Sequence, residues 1–355
     1  MKREIIIGTR SSKLALWQTN HIKDLLKKLD PDIKINIKEI KTKGDNITDV
    51  ALSKIGGKGL FTKEIEDALL NSEIDLAVHS LKDLPTKLPD SLTIGAVLKR
   101  ESPHDVLLVR EQNNTMSLPG QARESNHDTV SNSVLDSSFS TRDRSAFGWR
   151  GNDKSTFASL PSKSKIGTSS LRRVAQLRTL RNDLTYLDLR GNLDTRIKKL
   201  EDGQYYGIVL AYAGIKRLGF EEKISEHFNI EEIVPAVGQG ALAIEIRESD
   251  IETRKLVTLL NDNETYMASI IERDFLSTLQ GGCQVPIGAY TKFETDKITL
   301  IGIVTSLDGR KIVREKMTVN RNSNDYKNLG LNLAQKLLQL GGKEILAELL
   351  NNKVI

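Results

Sequence analysis

A strand-like apolar run that ends on charge carries the chain's clearest chemistry. Ala77-Val78-His79-Ser80-Leu81-Lys82-Asp83-Leu84-Pro85 delivers an ammonium and a carboxylate to one turn. An acid held beside a lysine stays ionised, because the nearby positive charge favours the carboxylate. Asp83 could then stabilise a cationic intermediate or shuttle a proton; an isolated aspartate at such a place is more often a turn or cap residue. The second feature is Cys283, the only cysteine, in Gly281-Gly282-Cys283-Gln284-Val285-Pro286. A lone thiol makes no internal disulfide and no cysteine-rich metal site. Three roles stay open for it: a buried small hydrophobe, a reactive nucleophile, or a point of covalent attachment. The flanking glycines favour close approach of a ligand.

Cations collect at the turns. Thr9-Arg10-Ser11-Ser12 follows the first apolar run, Lys54-Ile55-Gly56-Gly57-Lys58-Gly59 precedes a helical pattern, and Gly167-Thr168-Ser169-Ser170-Leu171-Arg172-Arg173 joins a strand pattern to a helical one. The last places hydroxyls, free amides and two guanidiniums at a helix start, a receptor for carboxylate or phosphate. Arg190, Arg196 and Lys216-Arg217 add to the same half of the chain. Any one of these reads as a solvated surface charge; so many at strand-to-helix turns read as one anion-binding cleft. His21, His79, His104, His127 and His227 have no ligand-like spacing, so no metal is expected. Neither phosphate-loop nor dinucleotide fingerprint is present. Aromatics make up only 5% of the chain and do not track the basic turns, which argues against nucleic acid as a partner.

These residues need elements to position them. At 355 residues, two or three domains are expected. No apolar run approaches bilayer length, the N-terminus lacks a signal-peptide core, and a single cysteine suits a reducing compartment, so a cytoplasmic protein without membrane contact is expected. The net charge of +5 admits an anionic partner. Ile5–Ile7, Ile33–Ile37, Ile74–Val78 and Leu92–Val97 read as strands between helices at Leu14–Leu29 and Phe61–Leu70. This is the pattern of an α/β unit with a largely parallel sheet. A second unit begins at Val106–Val109 and resumes at Ile166, with helices at Leu171–Leu180 and Arg196–Leu200 and strands at Tyr186–Leu189 and Ile208–Leu210. Two such lobes imply a cleft between them, the usual place for a ligand. From Gln112 to Lys163 neither period holds, and an inserted disordered loop is expected. A C-terminal α+β domain, 263–355, opens with a helix at Thr265–Leu279, continues with three strands and closes with helices through Leu329–Leu350.

Taken together, these motifs, with Leu14-Ala15-Leu16-Trp17-Gln18, Leu189-Arg190-Gly191-Asn192 and Pro235-Ala236-Val237-Gly238-Gln239-Gly240-Ala241, make the chain resemble the porphobilinogen deaminase (hydroxymethylbilane synthase) family over nearly its whole length. The resemblance implies a transferase of haem, porphyrin and tetrapyrrole biosynthesis. It would condense four porphobilinogen molecules head to tail, with release of ammonia, into hydroxymethylbilane. It implies one dipyrromethane cofactor per chain, thioether-linked to Cys283, and Asp83 as the catalytic carboxylate. Ser12, Lys82, Asp83, Thr168, Ser170, Arg172, Arg173 and Arg190 would hold the cofactor. Arg10, Ser12, Arg190, Arg196 and Arg217 would hold substrate. The implied fold is α/β, two periplasmic-binding-protein-like lobes plus the C-terminal domain, in a monomer. The first lobe would take 1–99 plus about 241–260, and the second 100–240. The insertion at 112–163 departs from the family pattern. The rival reading is a non-catalytic anion receptor, since two-lobed basic clefts also serve solute binding; the thiol-bearing third domain argues against it.

Overall fold

The computed structural model describes residues 4–46, 61–110, 155–280 and 285–351. The chain opens with β1 (Glu4–Thr9), α1 (Lys13–Leu29), β2 (Lys34–Glu39), α2 (Lys43–Asn46), α3 (Lys63–Leu70), β3 (Leu76–Ser80) and β4 (Leu92–Val97). It then crosses into β5 (Asp105–Val109), β6 (Lys165–Gly167), α4 (Leu171–Leu180), β7 (Thr185–Leu187), α5 (Leu193–Glu201), β8 (Gly207–Ala211), α6 (Tyr212–Arg217) and β9 (Glu226–His227). It returns through β10 (Leu242–Arg247) and α7 (Ile251–Thr258). The last run is α8 (Asn263–Thr278), β11 (Ile287–Phe293), β12 (Lys297–Thr305), β13 (Ile312–Asn320), α9 (Tyr326–Leu337) and α10 (Lys343–Asn351).

Two five-stranded sheets result, ordered β2-β1-β3-β10-β4 and β7-β6-β8-β5-β9, with a third of order β11-β12-β13. The expected architecture of two α/β lobes and a C-terminal α+β domain is thus present. The sheets are mixed rather than largely parallel. β1 runs parallel to β2 and β3, but β10 is antiparallel to β3 and β4, and β5 is antiparallel to β8. Each reversed strand arrives from the other lobe and not through a helical crossover, so nothing obliges it to run parallel.

Local chemistry explains the elements that frame the cleft. Ser12 caps α1 by accepting from the Ala15 amide at 3.3 Å, and Lys27 and Lys28 close the same helix against its dipole. Ile5 and Ile7 of β1 and Ile22 and Leu26 of α1 are fully buried in one apolar cluster that also takes in Leu242, Ile244 and Ile246 of β10. In the third domain α8 and α9 cover the antiparallel sheet. Phe275 sits where Gly302 leaves no side chain, since a Cβ there would lie 2.6 Å from its ring.

A buried ion pair joins the lobes to the third domain. Glu272 of α8, with no exposed surface, accepts from Arg100 at 2.6 and 3.2 Å and from the amides of Gly238 and Thr291 at 2.8 and 2.9 Å.

The insertion ends earlier than the residue pattern suggests. Residues 155–163 belong to the second lobe: Phe157 and Leu160 are buried, and the Phe157 ring meets Phe228 edge-on at 5.3 Å. Arg181 ties the segment down through the carbonyls of Phe157, Ala158 and Leu160. Two hydrophobes three residues apart on one short 3₁₀ turn suffice to dock it, a signal too brief to register as a period. The remainder of that stretch lies outside the described residues.

Candidate active site

β3 runs from the core of the first lobe straight into a single 3₁₀ turn, Leu81–Asp83. Leu81 and Leu84, both buried, pin the turn from below, and the Leu81 amide donates to the Ala241 carbonyl at 3.0 Å. Gly238, at φ +70°, packs so closely on Leu81 that a Cβ would come within 2.7 Å of its side chain. With the leucines turned down, Asp83 faces outward and is exposed, while Lys82 lies deep in the cleft with partial access to solvent. Burial pushes the Lys82 ammonium down to about 8; Asp83 opposes that shift and Arg173 and Arg172 reinforce it.

The second lobe supplies those guanidiniums from the first turn of α4. Ser170 caps this helix by accepting from the Arg173 amide at 3.4 Å, and Thr168 accepts from the Ser170 amide at 3.4 Å. Arg172 and Arg173 are almost wholly buried against Asp105, the first residue of β5, which has no exposed surface. Arg172 Nη2 stands 2.8 Å from one carboxylate oxygen, and Arg173 Nε and Nη2 lie 2.9 and 2.7 Å from the other. Gln239 Nε2 donates to Asp105 at 2.9 Å and to the Pro103 carbonyl at 2.6 Å. Burial alone would raise the Asp105 carboxyl, yet the two guanidiniums hold it far below the usual carboxylate range.

Asp105 and Gln239 are the residues that sequence reasoning missed. An acid opening an otherwise apolar strand, Asp105-Val106-Leu107-Leu108-Val109, was the available signal for the first. Gln239 stands inside the Pro235–Ala241 motif, where nothing in the residue pattern marks its amide as a partner for a buried acid. The finding also changes the expected picture of Arg172 and Arg173: much of their donor capacity is spent inside the protein, with Arg172 Nη1 on the Val234 carbonyl at 2.8 Å and Arg173 Nη1 on that of Val209 at 3.1 Å.

The other basic residues fall into two groups. Arg190 pairs with Asp188 at 2.7 Å, and Arg196 donates to the Gly191 carbonyl at 2.8 Å. Burial, then the like charges of Arg173 and Arg190, push Arg196 down to about 10, and Asp83 opposes them. These groups therefore share one field with Lys82 and Asp83. Arg217 and Arg10 each lie over an aromatic ring. Arg217 donates to the Gly240 carbonyl at 2.7 Å and lies 5.9 Å from the Trp17 ring centre, and Arg10 lies 4.4 Å from that of Phe61. Ser12 caps α1. Cys283 and the Lys54–Gly59 segment lie outside the described residues.

The cluster suits a polycarboxylate. Lys82, Arg172, Arg173, Arg190 and Arg196 outnumber Asp83, Asp105 and Asp188, and among the described residues the buried Arg172 Nε has no hydrogen-bond partner. Dipyrromethane, with acetate and propionate arms, has the complementary charge.

Two α/β lobes facing each other across this cation cluster, with a third α+β domain braced against them, define a protein built to hold an anionic ligand between lobes. The family model "Porphobilinogen deaminase, dipyromethane cofactor binding domain" matches residues 5–255, and that of the family's C-terminal domain matches 266–339. The porphobilinogen deaminase of Carboxydothermus hydrogenoformans is 43% identical over 349 residues, covering 98% of each chain. That of Brevibacillus brevis is 45% identical over 345 residues, covering 97% of each. Solved structures align more loosely: an ancestral arginine-binding protein bound to arginine covers 76% of this chain and 95% of its own, at 12% identity and a TM-score of 0.35. The chain belongs to the porphobilinogen deaminase family. It is a transferase of porphyrin and haem biosynthesis whose larger part is a dipyrromethane-binding domain.

Proposed function

We propose that the chain performs its family's reaction, the head-to-tail condensation of four porphobilinogen molecules into hydroxymethylbilane with release of ammonia, through Asp83 and on a primer anchored at Cys283. The observation that carries this reading is the exposed Asp83 carboxylate held at the rim of a cation cluster by two buried leucines. When bound, dipyrromethane supplies the nucleophilic pyrrole end from which the chain grows. Lys82, Arg172, Arg173 and Arg190, with the Thr168 and Ser170 hydroxyls, hold its carboxylates; Arg10, Ser12, Arg190, Arg196 and Arg217 hold those of porphobilinogen.

Asp83 has two tasks. Its fixed negative charge accepts hydrogen bonds from pyrrole N–H groups and stabilises the positive charge that develops on porphobilinogen as ammonia departs. The same oxygens can take up the proton released when the new carbon–carbon bond forms. The surrounding cations bring a polyanionic substrate to Asp83. One cofactor per chain follows from a single cysteine. We further propose a cytoplasmic monomer; no helix among the described residues is long and apolar enough to cross a membrane.

The test is an intact-mass measurement on protein from a haem-producing host, coupled to porphobilinogen turnover. The expected result is a mass above that of the bare chain by one dipyrromethane and a positive Ehrlich reaction. A bare-chain mass with no turnover would leave an anion-binding role in its place.

A further inference from the structure

We infer that Arg273 is a positioning residue for the reaction, holding the Asp83 turn from the third domain. Its Nη2 donates to the carbonyl of Pro85 at 2.7 Å and to that of Thr86 at 3.0 Å. These are the second and third residues beyond Asp83. Neither carbonyl accepts a main-chain hydrogen bond among the described residues, so the guanidinium is the polar tie that this piece of backbone has. The inference rests on the assignment of Asp83 proposed above.

Three features make this more than a surface contact. First, the residue before Arg273 on α8 is Glu272, whose buried carboxylate binds Arg100 and the Gly238 and Thr291 amides, so the helix bearing Arg273 is itself anchored on the two segments, β4 to β5 and β9 to β10, by which the chain crosses between the lobes. Second, a groove of about 570 Å³ separates the 86–91 loop and the start of β4 from α8 and is lined by Lys87, Asp90, Tyr266, Ile270 and Asp274 as well as Arg273. Arg273 is a strut across that groove. Third, Leu84 is buried and Leu88 packs beside it, which fixes the depth of the loop but leaves its lateral placement to the hydrogen bonds from Arg273. A charge-assisted pair on adjacent carbonyls is stronger than neutral contacts and directional. A displacement of about 1 Å at a reacting group can cost on the order of a hundredfold in rate.

The experiment compares Arg273→Gln and Arg273→Lys with the parent holoenzyme. Both should carry the parental intact mass, cofactor included. Arg273→Gln is expected to lose roughly tenfold to a hundredfold in kcat with KM altered less than about threefold, since the missing contact is felt at the reacting centre and not in uniform binding. Hydrogen exchange should accelerate at the amides of Leu84 and 86–88 while β3 and α8 keep their parental protection. Arg273→Lys should recover part of both. Parental kcat in Arg273→Gln, lost kcat with unchanged exchange at 84–88, or faster exchange throughout α8 together with lost cofactor would each overturn the inference. If Asp83→Asn keeps its activity while Arg273→Gln still frees the loop, the failure belongs to the assignment of Asp83 and not to the tie.

Discussion

Arg172 and Arg173 share one counter-ion. Asp105 contacts both at 2.9 Å or less with no part of its carboxylate exposed, so the pair retains one net positive charge to offer a ligand. The arrangement costs desolvation of three ions, which is repaid only while all three are present. Asp105→Asn should therefore fold poorly or lose roughly 3–5 kcal/mol, the range seen when one partner of a buried pair is removed. The pH dependence has a definite sign. Because the folded carboxyl is held well below its unfolded value of about 4, its contribution is complete above that pH and fades as pH falls further. Urea titrations from pH 7 to pH 3 should show the parent and Asp105→Asn converging in acid; a constant gap would contradict the ion-pair account.

Asp83 is exposed and braced by its neighbours, so its charge matters to the reaction more than to the fold. Asp83→Asn should melt within about 0.5 kcal/mol of the parent, as surface substitutions do. It should lose roughly a hundredfold or more in kcat, the scale of a charge-stabilising or proton-transfer group. Steady-state turnover of porphobilinogen beside a thermal melt reads both. A loss below about tenfold would move the charge-stabilising role elsewhere.

For Cys283 the expectation is all or none. Cys283→Ala should fold, show the mass of the bare chain, fail to colour with Ehrlich's reagent and turn over nothing. Full activity in that variant would end the attachment proposal.

Legibility in the sequence followed local pattern. α4 was readable to both ends, Leu171–Leu180, because Ser170 is a good cap and the apolar spacing is helical. The turn at Lys82-Asp83 was readable because charge interrupts an apolar strand. β10 was missed although Leu242, Ile244 and Ile246 alternate with Ala243, Glu245 and Arg247; what that alternation does not reveal is that both faces are buried, Glu245 with no exposed surface included. The pairing of Asp105 with α4 was invisible for another reason. Its partners lie 67 and 68 residues away, with the insertion between, and only the assembled sheet brings them together. The motifs named the cations of the cleft, but not which of them are already committed to the protein.

The revised end of the insertion yields a paired prediction. Removal of 112–154, with a short flexible bridge, should leave turnover largely unchanged, because loop closure depends only weakly on length. Removal through Lys163 also takes Phe157 and Leu160 out of the core, each worth roughly 2–5 kcal/mol. That longer deletion should be far less stable in a denaturant titration. Equal stability of the two would show that 155–163 adds nothing to the lobe.

Behind the Asp83 turn lies a buried group of acids whose cost can be measured. Glu245 lies 3.0 Å from His79 Nε2 and neither of its oxygens makes a hydrogen bond among the described residues, while Glu66 of α3 is buried nearby with Oε1 unpartnered. Burial raises the Glu66 carboxyl above its ordinary value, and the charge of Glu245 adds to the shift. The folded state therefore binds the Glu66 proton more tightly than the unfolded state, and ionised Glu66 destabilises the fold at neutral pH. Glu66→Gln removes that ionisation in a side chain of nearly the same shape. It should be as stable as the parent or more so at pH 7, with the advantage shrinking as pH falls through the raised value toward the unfolded one near 4. Thermal melts of both proteins at pH 7 and pH 4.5 decide it: a variant less stable than the parent at pH 7, with a deficit that disappears in acid, would mean that ionised Glu66 supports the fold.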